Sequence, residues 1–185
     1  MPGNPALLEI IRTKGHLHVD TPLQLASGEW SQDFVDGKKA LAHGPDLRLA
    51  CEVLLDEVHA AGVTFDVVGG LTMGADHLSH GVALVGSVAW FTVRKEAKGH
   101  GMGGRVAGAL EAGDRVAITE DAVTRGVSML EAAEVIRAVG AEPVLLVPVV
   151  DRGGTVEAMA AEAGIPLRAL VTAPDLGFPF ERDVS

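Results

Sequence analysis

Apolar residues in this chain recur in two rhythms, one helical and one extended, and the two alternate along its length. Leu7, Leu8, Ile10 and Ile11 predict a helix over about Pro5 to Arg12, with Gly15 as its stop. Leu47, Leu54, Leu55 and Val58 fall near helical spacing and predict another over about Pro45 to Ala60, before Gly62. Met129, Ala132, Ile136 and Val139 stand at i, i+3, i+7 and i+10, so Ser128 to Val139 reads as helix too. Ala75 to Leu84 and Thr155 to Ala163 complete the helical set. Short apolar runs lie between them: Phe65 to Val68, Ser87 to Val93, Arg115 to Thr119, Glu142 to Val150 and Leu167 to Val171 are the expected strands. Leu17 to Asp36 reads as a strand-and-turn region, with its turn at Ser27-Gly28.

Strands that are apolar on both faces and alternate with helices predict an α/β fold, a mostly parallel sheet flanked by helices. Ligands of such sheets bind where strand carboxyl ends meet loops, which directs attention to Gly69–Asp76, Arg94–Arg105 and Glu120–Ser128. No repeat, low-complexity tract or linker divides residues 1–185, so one domain is expected. The single cysteine, Cys51, excludes a disulfide framework and points to a reducing, cytoplasmic setting. No long apolar run follows a basic start at Met1–Lys14, and none reaches the roughly 18 residues a membrane helix needs, so neither a secretory signal nor a span is expected. A formal net charge of -10 argues against nucleic acid or an anionic membrane as partner. Against that background, Arg94, Lys95, Lys98 and Arg105 crowd one segment with Glu96 as its only acid, as a small polyanionic ligand would require.

The segment from Val116 to Ser128 carries the clearest chemistry. An apolar strand delivers Glu120 and Asp121 to its carboxyl end, and a loop through Thr124 and Gly126 then opens a helix at Ser128. Backbone N–H groups at a helix N-terminus suit a phosphate, and a glycine lets the backbone approach it. Paired acids beside a phosphate site suit a ribose 5-phosphate: they accept from its vicinal hydroxyls and favour positive charge at its anomeric carbon. On the residues alone, an acidic strand end before a capped helix is equally compatible.

Residues Glu120 to Ser128 resemble the phosphoribosyl pyrophosphate motif of type I phosphoribosyltransferases, with Arg125 where the family usually has a small residue and Val127 where it has Gly or Thr. The resemblance implies that Glu120 and Asp121 hold the ribose hydroxyls, and that Ala122, Val123, Thr124, Arg125, Gly126, Val127 and Ser128 enclose the 5-phosphate. Arg94-Lys95-Glu96-Ala97-Lys98-Gly99-His100-Gly101 is similar at every fixed position to the R-K-x-x-K-x-H-G signature of orotate phosphoribosyltransferases. Read without that likeness, a charge run of this kind also suits a solvated hairpin. The likeness implies that Arg94, Lys95, Lys98 and His100 contact pyrophosphate, on a loop that reaches into the neighbouring subunit of a homodimer with shared active sites.

The looser resemblance over Leu23 to Val171 implies the type I phosphoribosyltransferase fold, with about residues 1–40 forming a small N-terminal hood. It places Phe34, Thr124 and Arg152 at the base; Phe34 is otherwise core, and Arg152 otherwise a surface cap on a strand end. Ala26 and Met73 stand where the family often has lysine, and Arg125 is a candidate replacement for one of them. The implied reaction transfers ribose 5-phosphate from phosphoribosyl pyrophosphate to orotate. Lys98 and Asp121 are its expected catalytic residues, and Mg2+ is held mainly by the substrate rather than by protein ligands. Another nucleobase as acceptor, or a non-catalytic regulator that binds phosphoribosyl pyrophosphate, are the alternatives. No G-x-S-x-G elbow or Walker loop is present, Gly99–Gly104 is no strand-to-helix dinucleotide fingerprint, and the His77/His80 and His16/His18 pairs lack a metal-site context.

Overall fold

Asn4 starts the first helix by accepting from the N–H groups of Ala6 and Leu7, with Pro5 in the first turn. The structure, a computed structural model, describes residues 3–24, 30–97 and 104–180. Helix α1 (Pro5–Ile10) runs into a wider π-helical turn at Ile11–Gly15, so the helix expected to reach Arg12 changes pitch before its glycine stop. Strands β1 (His16–Gln24) and β2 (Trp30–Val35) pair antiparallel as a separate two-stranded sheet; the turn expected at Ser27-Gly28 lies outside the described residues. Asp36 then caps a short helix, α2 (Gly37–Ala40), that the hydrophobic pattern does not reveal.

Helix α3 (Gly44–Ala60) leads to β3 (Val67–Gly69), α4 (Asp76–Gly86) and β4 (Ala89–Val93). Ser87 in the left-handed conformation ends α4, which is why β4 begins later than its apolar run. Strand β5 (Val106–Gly108) returns antiparallel to β4, a pairing too short to show in the sequence. Strand β6 (Arg115–Val123), α5 (Val127–Val139), β7 (Glu142–Asp151), α6 (Val156–Glu162), β8 (Val171–Thr172) and α7 (Ala173–Leu176) follow.

The main sheet has the order β5-β4-β3-β6-β7-β8 and is parallel apart from β5, as the alternating pattern predicts. Along β7 every residue after Glu142 is buried, the expected state of a strand covered on both faces. Leu7, Leu54, Leu78 and Leu145 belong to the core on one face, and Met129, Ile136, Ile118 and Ile165 to the core on the other. Two expectations need correction. The strand expected over Leu167–Val171 is an irregular edge: Leu167 makes an isolated bridge to Leu146, and regular pairing begins only at Val171. The acidic pair does not end its strand, because β6 continues against Val150 and Asp151 as far as Val123. Among the described residues no helix is long and apolar enough to cross a membrane.

Candidate active site

The chain leaves β3 to form β4 and β5 on one side, then returns to lay β6 on the other. The loops leaving β3 and β6 therefore diverge and open a crevice at the carboxyl ends of the strands. Side chains alternate along β6: Ala117 lies in the core shared with α3, and Val116 and Ile118 in the core shared with α5. That alternation sends Glu120 toward α5 and Asp121 toward the opposite face. Both are nearly buried, 5% and 7% exposed.

Burial first, and then the neighbouring charge of Asp121, push the Glu120 carboxyl up to about 8, with the Ser128 hydroxyl drawing it part of the way back. Asp121 is held differently: Lys38 Nζ donates to its Oδ2 at 2.7 Å. Burial alone would lower the Lys38 ammonium, yet the hydrogen bond and charge of Asp121, aided by Glu120 and Asp36, leave it above the ordinary lysine value.

Two glycines let backbone close on these acids. A Cβ at Gly37 would stand 2.9 Å from the Asp121 Cβ, so only glycine seats the start of α2 there. A Cβ at Gly74 would overlap Glu120 Oε1 and lie 2.7 Å from Asp121 Oδ1, so the β3–α4 loop rests directly on the pair. Asp76 fixes that loop by accepting from Thr72 Oγ1 at 2.7 Å and Thr92 Oγ1 at 2.6 Å. Met73, at its tip, is 70% exposed.

Beyond β6, Gly126 adopts φ 73 and begins α5, whose first N–H groups face the crevice end unpaired within the helix. The Thr124 carbonyl accepts from Thr155 Oγ1 at 3.0 Å, tying the loop to α6. Arg125 and Val127 are exposed and Ser128 is half-buried. Ala122 and Val123 are still in β6, and the Val123 side chain belongs to the core, leaving its backbone as the part able to meet a ligand.

Arg94 directly follows β4, and its guanidinium turns back to the Gly104 and Val106 carbonyls at 3.5 and 3.4 Å. Lys95 is exposed; Lys98, His100 and Ala26 lie outside the described residues. Arg105, counted in the basic run, is committed elsewhere: it pairs with Glu131 on α5 and donates to the Arg94 carbonyl.

Phe34 is half-buried on β2 opposite Leu17 and belongs to neither buried core. Arg152 is 9% exposed, which removes the surface-cap alternative, and its Nη2 donates to the Asp33 carbonyl at 3.3 Å. The β2 strand bearing Phe34 and the end of β7 are thus joined. Asp151 shapes the turn at that end by accepting from the N–H groups of Gly153 and Gly154. His16 and His18 share one partner, Asp33 Oδ1, at 2.8 and 2.9 Å, and His80 meets Trp90 edge-on. No group of three or more metal-ligating side chains occurs among the described residues.

The residue that sequence reasoning passed over is Lys38. Its signal was the run Asp36-Gly37-Lys38-Lys39, an N-cap followed by paired cations in an acidic chain.

Fold and crevice together define a phosphoribosyltransferase. The structure aligns with that of a phosphoribosyltransferase from Corynebacterium diphtheriae at a TM-score of 0.81 and 31% identity, over 94% of this chain and 97% of the other. It aligns with Mycobacterium tuberculosis orotate phosphoribosyltransferase in complex with 5-phospho-alpha-D-ribosyl 1-diphosphate at a TM-score of 0.77 and 30% identity, over 94% and 98%. In sequence, the orotate phosphoribosyltransferase of Streptomyces avermitilis is 40% identical over 178 residues, 93% of this chain and 96% of that protein. The chain belongs to the orotate phosphoribosyltransferase family. No family model matches it.

Proposed function

We propose that the protein transfers ribose 5-phosphate from phosphoribosyl pyrophosphate to orotate, giving orotidine 5'-phosphate and pyrophosphate. The observation that carries this reading is the buried Glu120–Asp121 pair at the switch point, between the Gly74 backbone and the N-terminus of α5. In it, Glu120 and Asp121 take the ribose hydroxyls, and the backbone and hydroxyls from Ala122 to Ser128 take the 5-phosphate. Arg94, Lys95, Lys98 and His100 stabilise the departing pyrophosphate as the bond from the anomeric carbon to oxygen breaks. The new bond forms to N1 of the deprotonated base. Lys98 and Asp121 are the catalytic residues, and Phe34, Thr124 and Arg152 hold orotate, with the Arg152 guanidinium suited to its oxygens.

The acids fit Mg2+ as hard oxygen donors, and two carboxylates are too few for a closed protein site, so the substrate would supply the remaining ligands. Bound there, the ion would neutralise part of the diphosphate charge. A cytoplasmic homodimer completes the reading, with Lys98 and His100 serving the neighbouring subunit's site.

The test is turnover of purified protein with Mg2+, phosphoribosyl pyrophosphate and a panel of nucleobases. Orotidine 5'-phosphate should form, chelation by EDTA should stop it, and Lys98→Ala should slow it by about a hundredfold or more. Product with another base and none with orotate overturns the assignment.

A further inference from the structure

The chemistry proposed above leaves one cation beside the acids without a role, the Lys38 ammonium. Helix α2 is set by Asp36, whose side chain caps it through the Lys39 N–H, and by Gly37, which lets it touch Asp121. The two lysines that follow then differ. Lys39 is exposed, whereas Lys38 turns onto Asp121, with its side chain half exposed toward a cleft of about 370 Å³ that it shares with Met73, Asp76 and His77. An ammonium carries three N–H donors, and among the described residues Lys38 gives a hydrogen bond only to Asp121.

Stereochemistry says what lies across from that bond. In a 5-phospho-α-D-ribosyl diphosphate, the C1 diphosphate is on the same ring face as the two hydroxyls. If the acids accept from the hydroxyls, the diphosphate emerges over the acid side of the ring, beside the group already seated on Asp121. The loop on the other side presents Met73, which brings no charge. A polyanion set against the buried Asp121 carboxylate needs a cation between them.

We propose that Lys38 is a diphosphate ligand of the donor substrate, bridging Asp121 and the diphosphate. The proposal rests on the phosphoribosyl transfer reading. The ammonium keeps one N–H on Asp121 and gives the others to diphosphate oxygens, which screens the leaving group from the acids. Orotidine 5'-phosphate, with its base on the opposite ring face and no diphosphate, would engage Asp121 without using the free N–H groups.

Calorimetric titration of the intact protein with Mg2+ tests this, using phosphoribosyl pyrophosphate and orotidine 5'-phosphate against wild type, Lys38→Met, Lys38→Arg and Lys39→Met. In Lys38→Met, phosphoribosyl pyrophosphate affinity should fall about ten- to a hundredfold, while orotidine 5'-phosphate affinity changes less than about threefold. Lys38→Arg should restore most of the loss, and Lys39→Met, which removes the same charge one residue away, should match wild type. Equal losses for both ligands would reduce Lys38 to an orienting group for Asp121 and overturn the proposal, as would no loss for either or an equal loss in Lys39→Met. Should wild type itself bind neither ligand, the transfer reading fails first.

Discussion

Glu120→Gln should make the protein more stable and less active at once. The wild-type carboxyl is 5% exposed and lies beside Asp121, and it is pushed from 4.5 up to about 8 by burial and then by that charge. Below pH 4.5 it is neutral in both folded and unfolded chains and carries no penalty. Between 4.5 and about 8 the folded protein keeps a proton that the unfolded chain releases, so stability falls as pH rises. At about 1.4 kcal/mol per pH unit, the penalty reaches about 3 kcal/mol at pH 7 and about 5 kcal/mol above pH 8. Glutamine carries no charge and escapes this decline. Urea unfolding in EDTA at pH 5, 7 and 8.5 should therefore show the two proteins nearly level at pH 5 and the variant increasingly ahead above it. Turnover should drop, because an amide cannot ionise to the carboxylate that the ribose hydroxyl and Mg2+ draw out when the donor binds. Parallel pH–stability curves for the two proteins would refute the reasoning, since they would mean that Glu120 ionises in the folded state as freely as in water.

Three further outcomes follow from the geometry. Gly74→Ala places a methyl against the Glu120 carboxylate and should lower kcat/KM for phosphoribosyl pyrophosphate at least about tenfold while removing about 1–3 kcal/mol of stability, measured by steady-state kinetics and urea titration. Gly126→Ala forces a side chain into a left-handed φ of 73 and against Val156, and should lower the urea midpoint by the equivalent of about 2 kcal/mol. Burial would raise the Asp33 carboxyl, but the hydrogen bonds and charges of His18 and His16 outweigh it and hold it below its usual 3.8. Its contribution is present above that value and lost as pH falls through the lower folded value. Asp33→Asn should consequently lower Tm near pH 6, with the gap closing as the pH falls through the lowered folded value of Asp33.

The architecture was legible in the sequence because strand and helix periods alternate cleanly over the long elements: α3, α5 and β7 fall within a residue or so of their expected limits. What escaped was too short to carry a period. Helix α2 has one turn, β5 has three residues, and each is held by partners distant in sequence rather than by its own pattern. The acids and the loop after them were readable as a motif, since their chemistry is local. The grip of Lys38 on Asp121 was not, because it joins positions 83 residues apart. The close approach of Gly74 is likewise a property of a loop meeting a strand distant in sequence, and glycine in a Gly-rich stretch does not announce which side chain it will touch.

The place of β6 in the sheet also bears on how the protein is made. Its neighbours are β3, synthesised well before it, and β7, synthesised after it. A nascent chain that has emerged only through α5 offers the strand carrying both acids one partner and an open edge, a template for stray pairing. Only when β7 docks does that edge close, so the binding crevice becomes a late reporter of complete folding, and truncation before β7 leaves the edge of β6 open to aggregation.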